Sequence, residues 1–193
     1  MSEIKSETSE TSERLKNRRA FFLDRDGVLN EDRGYISRLE DFVMIPGAAQ
    51  AVAELSRDGW LVVVFTNQSG VARGMLSAER LEEIHAKLRS EIAKAGGELT
   101  AIYACPHGPD SDCDCRKPRD GMLRRAAAEH NIDLTASIAV GDSSRDIAAG
   151  HAAGCRTILV LSGQTRAYNA ATFPEPKPHF VCANLSEAVK KRS

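Results

Sequence analysis

Several absences narrow what this chain can be. It has no stretch of about 18 apolar residues to cross a bilayer, and its N-terminus, Met1 to Arg19, lacks the apolar core and cleavage site of a signal peptide. It has no internal repeat, no Lys/Arg stripe, and a net charge of only -1, so nothing attracts nucleic acid or other polyanions globally. At 193 residues there is no room for a large second domain, nor for a large cap over an active site. These absences predict a cytoplasmic, monomeric protein whose partner is a small molecule, with no nucleic-acid or membrane role. In a reducing compartment its five cysteines are better suited to metal than to disulfides.

What is present is the balance of a globular domain, 42% hydrophobic and 27% charged. Residues 1–18, rich in Ser, Glu and Thr, bury too little to offset their ordering entropy and are expected to form a disordered tail ahead of one domain over 19–193. Continuous apolar runs at Ala20 to Asp24, Leu61 to Thr66, Ile138 to Asp142 and Thr157 to Ser162 read as strands buried on both faces, with a further strand expected at Leu99 to Cys105. Between them lie helical patterns over Ala48 to Arg57, from Ser77 through Leu81, Ile84, Leu88 and Ile92, over Gly121 to His130, and over Arg145 to Ala153. Pro174, Pro176 and Pro178 mark an irregular return to a short strand near Phe180 and a helix from Leu185. The alternation predicts an α/β fold with a doubly wound, mainly parallel sheet and helices on both faces, whose ligands lie at the carboxyl ends of the strands.

The residues ending those strands are chemically distinctive. The first run ends in Asp24-Arg25-Asp26-Gly27, two carboxylates two residues apart. Such a pair also makes an ordinary turn, but it suits a nucleophile at Asp24 and a proton carrier at Asp26. The second ends in Thr66-Asn67-Gln68-Ser69-Gly70, offering a hydroxyl and backbone N–H groups to phosphate oxygens. Arg116-Lys117-Pro118 brings cations, and Gly141-Asp142-Ser143-Ser144-Arg145-Asp146 adds a carboxylate that could join Asp24 on a hard cation. Cys105-Pro106-His107, a five-residue spacer and Cys113-Asp114-Cys115 supply three thiolates and one imidazole, the donor set of a closed structural Zn2+ site. Because Arg116 and Lys117 follow Cys115 directly, losing that metal is expected to disorder the rim of the site. Cys155 and Cys182 read as small core residues. His85, His130, His151 and His179 read as surface or internally satisfied side chains.

Taken in order, D-x-D-G, T-N, a later Lys and G-D-x-x-x-D resemble the haloacid dehalogenase superfamily of phosphatases from about Ala20 to Gly163. The resemblance implies Asp24 as nucleophile, Asp26 as general acid and then base, Mg2+ on Asp24, the Asp26 carbonyl and Asp142, and Thr66 and Lys117 on the phosphoryl group. Within the superfamily, Asp24 to Asn30, Gly34-Tyr35, Thr66 to Gly74 and the Cys-Pro-His to Cys-Asp-Cys-Arg-Lys-Pro loop are similar to the D-glycero-D-manno-heptose-1,7-bisphosphate 7-phosphatase family. That family acts in nucleotide-activated heptose biosynthesis. It implies substrate contacts from Arg25, Asp32, Arg33, Gly34, Tyr35, Asn67, Gln68, Ser69, Arg116 and Ser143, with Arg116 on a second phosphate. Ser143 stands where the family often has Lys. The short zinc loop is shared with histidinol-phosphate phosphatases, and T-N-Q-x-G also occurs in polynucleotide 3′-phosphatases. A non-catalytic zinc-binding module would leave the ordered carboxylates unexplained.

Overall fold

A computed structural model describes residues 18–192. Six parallel strands form one sheet in the order β3-β2-β1-β4-β5-β6, comprising β1 (Ala20–Leu23), β2 (Leu61–Asn67), β3 (Ala101–Cys105), β4 (Ile138–Gly141), β5 (Arg156–Val160) and β6 (Phe180–Cys182). The helices between them are α1 (Ala48–Arg57), α2 (Ala78–Lys94), α3 (Gly121–His130) and α4 (Ser144–Ala153), with a short α5 (Leu185–Ala188) after β6. The expected doubly wound α/β architecture is therefore present, with ends trimmed by a residue or two. Of the expected tail, residues 1–17 lie outside the described residues, and Arg18 pairs with Ile132 in an isolated bridge. Among the described residues no helix is long and apolar enough to cross a membrane.

The continuous apolar runs are explained by helices covering both faces. Alternate residues Phe21, Leu23, Val62, Val64, Ile138 and Val140 pack against α1, α2 and α5. Their neighbours Ala20, Phe22, Val63, Phe65 and Ala139 pack against α3 and α4. Each fully buried Phe, Val or Leu contributes about 1.5–3 kcal/mol relative to exposure, so both faces fix the register. Local signals sharpen the helix ends. Ser77 Oγ accepts the Arg80 N–H (3.1 Å) at the start of α2, and Gly59 at φ 75° ends α1 in the left-handed conformation.

The chain runs from β1 outward to β2 and β3, then crosses to the other side for β4. The switch point falls between β1 and β4. Leu23 is level with both Val64 and Val140, which brings Asp24, Thr66 and Asp142 to one edge within a residue of each other.

Candidate active site

Asp24 sits on that edge, its own N–H bonded to the Val140 carbonyl (3.0 Å). One carboxylate oxygen, Oδ1, accepts the Arg25 N–H (2.7 Å) and lies 2.9 Å from Lys117 Nζ. Among the described residues Oδ2 receives no hydrogen bond. Lys117 is equally committed: its ammonium also forms an ion pair with Asp146 Oδ1 (2.6 Å) and donates to the Phe65 carbonyl (3.0 Å). Asp146 Oδ2 in turn accepts the Ser143 N–H (3.0 Å) and hydroxyl (2.6 Å).

The electrostatics describe a site short of positive charge. Burial pushes the Asp24 pKa well above its ordinary value, and the Asp146, Asp142 and Asp26 carboxylates add to the effect against Lys117. Burial, then Asp146, takes Asp142 up to about 7. Burial opposes ionisation at Asp146 and Lys117 too, yet their mutual attraction keeps both charged, the acid lowered and the ammonium raised. Oxygens of Asp24, Asp142 and Asp146 all lie within 4.8 Å of one another. With both Asp146 oxygens taken by Lys117 and Ser143, Asp24 and Asp142 are the pair that fits a hard divalent cation. Two glycines make the space: a Cβ on Gly27 or Gly163 would stand 2.2 or 1.9 Å from Asp142 Oδ2.

Asp26 faces the same cavity of about 130 Å³, but five contacts hold its carboxylate. Arg25 Nη2 donates to both oxygens (3.0 and 2.8 Å) and Nε to Oδ1 (3.2 Å), Asn30 to Oδ1 (2.8 Å) and Gln68 to Oδ2 (2.8 Å). Arg25 itself is wholly buried. Its side chain turns onto Asp26 rather than into the cavity, because the residue between two site-facing carboxylates points into the protein.

Of the other expected substrate residues, Asp32, Gly34, Thr66, Asn67 and Ser143 line the cavity with Asp24, Asp26, Lys117 and Asp142, whereas Arg33, Tyr35, Gln68, Ser69 and Arg116 do not. Asn67 clips the Lys117 backbone from both sides, accepting its N–H (3.1 Å) and donating to its carbonyl (3.2 Å). Arg33 pairs with Glu31 (2.7 Å), and Arg116 donates to the His107 carbonyl (3.1 Å). Arg145 and Gln164 also line the cavity without having been singled out from the sequence.

The Cys/His group is assembled as well. Cys105 Sγ lies 3.6 Å from His107 Nδ1 and 3.7 Å from Cys113 Sγ, and His107 Nδ1 is 3.3 Å from Cys115 Sγ. Burial raises the Cys105 and Cys115 thiols. Cys113 is drawn down to about 6 despite its burial cost, by hydrogen bonds from Cys115 and the Arg116 backbone. Cys155 and Cys182 are buried core residues as expected. Of the histidines expected at the surface or internally satisfied, His85 is buried on the inner face of α2, with Nδ1 3.4 Å from Glu82. His151 and His179 stack at 4.7 Å and are hydrogen-bonded to the Lys177 carbonyl and Thr157.

Known proteins are similar to this chain in sequence and fold. The HAD-hydrolase-like family matches residues 114–188. D-glycero-beta-D-manno-heptose-1,7-bisphosphate 7-phosphatase of Pseudomonas putida is 51% identical over 143 residues, 74% of this chain and 82% of that protein. The enzyme of that name from Bordetella bronchiseptica is 42% identical over 88% of this chain and 94% of its own length. A crystal structure of D,D-heptose 1,7-bisphosphate phosphatase from B. bronchiseptica, complexed with magnesium and phosphate, superposes with a TM-score of 0.82 at 41% identity, covering 89% of this chain and 96% of that one. At this identity and coverage, the chain belongs to the D-glycero-D-manno-heptose-1,7-bisphosphate 7-phosphatase family of HAD-like phosphatases.

Proposed function

We propose that this protein removes the 7-phosphate of D-glycero-D-manno-heptose 1,7-bisphosphate in the cytoplasm, through a phosphoryl-enzyme formed on Asp24. The β-anomer in the names of its relatives is the preferred form. The observation that carries the reading is the buried Asp24–Lys117–Asp146 chain, which leaves one Asp24 oxygen free at the switch point of a chain this similar to those enzymes.

In this reading Asp24 Oδ2 attacks phosphorus as the bond to the sugar 7-oxygen breaks, and Asp26, turning from Arg25 toward the cavity, gives that oxygen its proton. Water then loses a proton to Asp26 and attacks the same phosphorus, releasing inorganic phosphate and freeing Asp24. Thr66 and Lys117 orient the phosphoryl oxygens, and Asn67 keeps Lys117 in place. Mg2+, held by Asp24, Asp142 and the Asp26 carbonyl, would neutralise charge on the transferring group. Burial and the neighbouring carboxylates raise both acids, and a divalent cation between Asp24 and Asp142 would offset that repulsion.

We assign Zn2+ to Cys105, His107, Cys113 and Cys115. Tetrahedral zinc with bonds of about 2.3 Å to sulfur and 2.0–2.1 Å to nitrogen spaces its ligands roughly 3.5–3.8 Å apart. Separations of 3.3, 3.6 and 3.7 Å lie close to that range, and four protein donors leave no position for a catalytic water.

Phosphate release from heptose 1,7-bisphosphate, histidinol phosphate and a 3′-phosphorylated oligonucleotide, each with and without magnesium, tests the reading. Magnesium-dependent turnover should favour the heptose; a preference for either competitor would reject it.

A further inference from the structure

The residues assigned to magnesium sit on two separate segments, Asp24 to Asp26 after β1 and Asp142 after β4, and a third segment fastens the two together. It is the turn after β5, Ser162 to Thr165, none of whose side chains is a ligand in that assignment. The Ser162 hydroxyl donates to the Gly27 carbonyl (2.7 Å). Just beyond it, the Gln164 N–H donates to the Asp142 carboxylate and the Thr165 N–H to the Asp142 carbonyl (3.1 Å). Strand order explains the meeting: β5 lies beside β4, which lies beside β1, so the chain leaving β5 reaches the ends of both.

Two glycines let these segments touch. A Cβ on Gly27 would stand 2.7 Å from Gly163 Cα, and one on Gly163 would stand 2.6 Å from Gly27 Cα, so the backbones meet with no side chain between them. Gly27 is held on both flanks: its N–H donates to the Asn30 carbonyl (2.7 Å), and its carbonyl accepts the Ser162 hydroxyl. Because a peptide unit is planar, the bond at the Gly27 N–H fixes the plane that carries the Asp26 carbonyl, and the bond at the Gly27 carbonyl fixes the next plane. With both planes set, the Asp26 carbonyl keeps one direction relative to Asp142, which is tied to the same turn.

We propose that Ser162 is a positioning residue for the magnesium site: its hydroxyl braces the Asp26–Gly27 backbone against the turn that holds Asp142, so that the two ligand-bearing segments keep the spacing the cation needs. This rests on the magnesium assignment made above. Magnesium demands near-ideal ligand geometry, and groups that orient ligands without touching the ion are worth about 10- to 100-fold in metal affinity. A Ser162 that merely filled space would be replaced equally well by any side chain of the same shape.

Binding of Mn2+, a paramagnetic stand-in for Mg2+, to the full chain without substrate tests the proposal. Loss of the free-ion electron paramagnetic resonance signal reports binding, Mg2+ serves as competitor, and Asp142→Asn marks which binding belongs to this site. Ser162→Thr and Ser162→Val have the same shape and differ by one hydroxyl, with Ser162→Ala as a smaller third variant. Ser162→Val and Ser162→Ala should weaken binding about tenfold or more, while Ser162→Thr stays within about threefold of wild type. On heptose 1,7-bisphosphate their kcat should return to near the wild-type value at saturating Mg2+. Equal affinities in Ser162→Thr and Ser162→Val, or a loss of kcat that saturating Mg2+ does not restore, would overturn the role. Wild-type protein that takes up no Mn2+ would reject the magnesium assignment and this proposal together. Wild-type protein that binds Mn2+ but turns over no heptose phosphate would reject the substrate reading alone, and the affinities of the Thr and Val variants would still decide the part played by Ser162.

Discussion

The two groups of candidate metal ligands are held by opposite means. Asp24, Asp142 and Asp146 are all buried, on strand ends and a helix whose register both cores enforce. Of the other group only Cys105 ends a strand and is buried; His107 is exposed, and Cys113 and Cys115 are half-buried in a segment without helix or strand. The fold's regular elements hold the carboxylates in place, whereas three of the four Cys/His ligands sit on a loop that a metal bound there would brace. One residue joins the regions. Lys117 lies two positions after Cys115 yet is fixed from the carboxylate side, by Asn67, Asp24 and Asp146.

Removing the free oxygen of the rigid site should have the largest effect. Asp24→Asn eliminates the nucleophile while keeping the shape, and turnover should fall roughly 10^4-fold or more with the melting temperature within a few degrees of wild type. Substantial steady-state activity in this variant would mean that the phosphoryl group is carried elsewhere. Lys117→Met comes next, because it removes positive charge at the transferring group: kcat should fall about 10^2- to 10^3-fold. It also strands Asp146 as an unpaired buried carboxylate, a loss of roughly 3–5 kcal/mol that denaturant unfolding would report.

These effects fall on residues that the sequence largely exposes, and the reason is local. Apolar runs covered on both faces mark the strands, and the polar residue after each run is carried to the ligand edge. Asp24, Thr66 and Asp142 could be located in this way. Partners set by side-chain direction or distant folding could not. Arg25 resembles a substrate cation between two acids until burial turns it onto Asp26, and Gln68 resembles a phosphate donor until it bonds Asp26 and Thr66. Gln164 meets Asp142 only because β5 returns beside β4. Arg145 begins a helix like many solvated arginines, and only the cavity beside it marks it out.

A gentler perturbation of the flexible side should separate the two regions. Cys113→Ser, or chelation of the wild type, opens the loop between Cys105 and Cys115 but leaves the Asn67 clip on Lys117 intact. Limited proteolysis should then cut within residues 106–116 while the remainder resists, and activity should fall about tenfold rather than vanish. Complete loss of activity with the core still folded would show that Lys117 takes its position from the zinc loop after all.

The smallest expected effect lies behind the rigid site, at His85. Burial, reinforced by the Arg25 charge, lowers its pKa from 6.5 to about 4, although Glu82 pulls the other way. The unfolded chain therefore binds a proton in a range where the native protein does not, so stability falls as pH drops from about 6.5 toward 4 and is unaffected by this group above that window. At 1.36 kcal/mol per pKa unit, the loss attributable to His85 is at most about 3 kcal/mol. His85→Gln has no proton to gain and should show a flatter stability profile between pH 6.5 and 4, measured by urea unfolding, whatever its stability at pH 7.5. Because the Arg25 charge acts on His85 and Arg25 also bonds Asp26, the same variant measures how far the Asp26 carboxylate depends on what lies behind it. A kcat within about threefold of wild type at pH 7.5 is expected if the bonds from Arg25, Asn30 and Gln68 suffice to hold Asp26, and a larger fall would extend the rigid region through the sheet to α2.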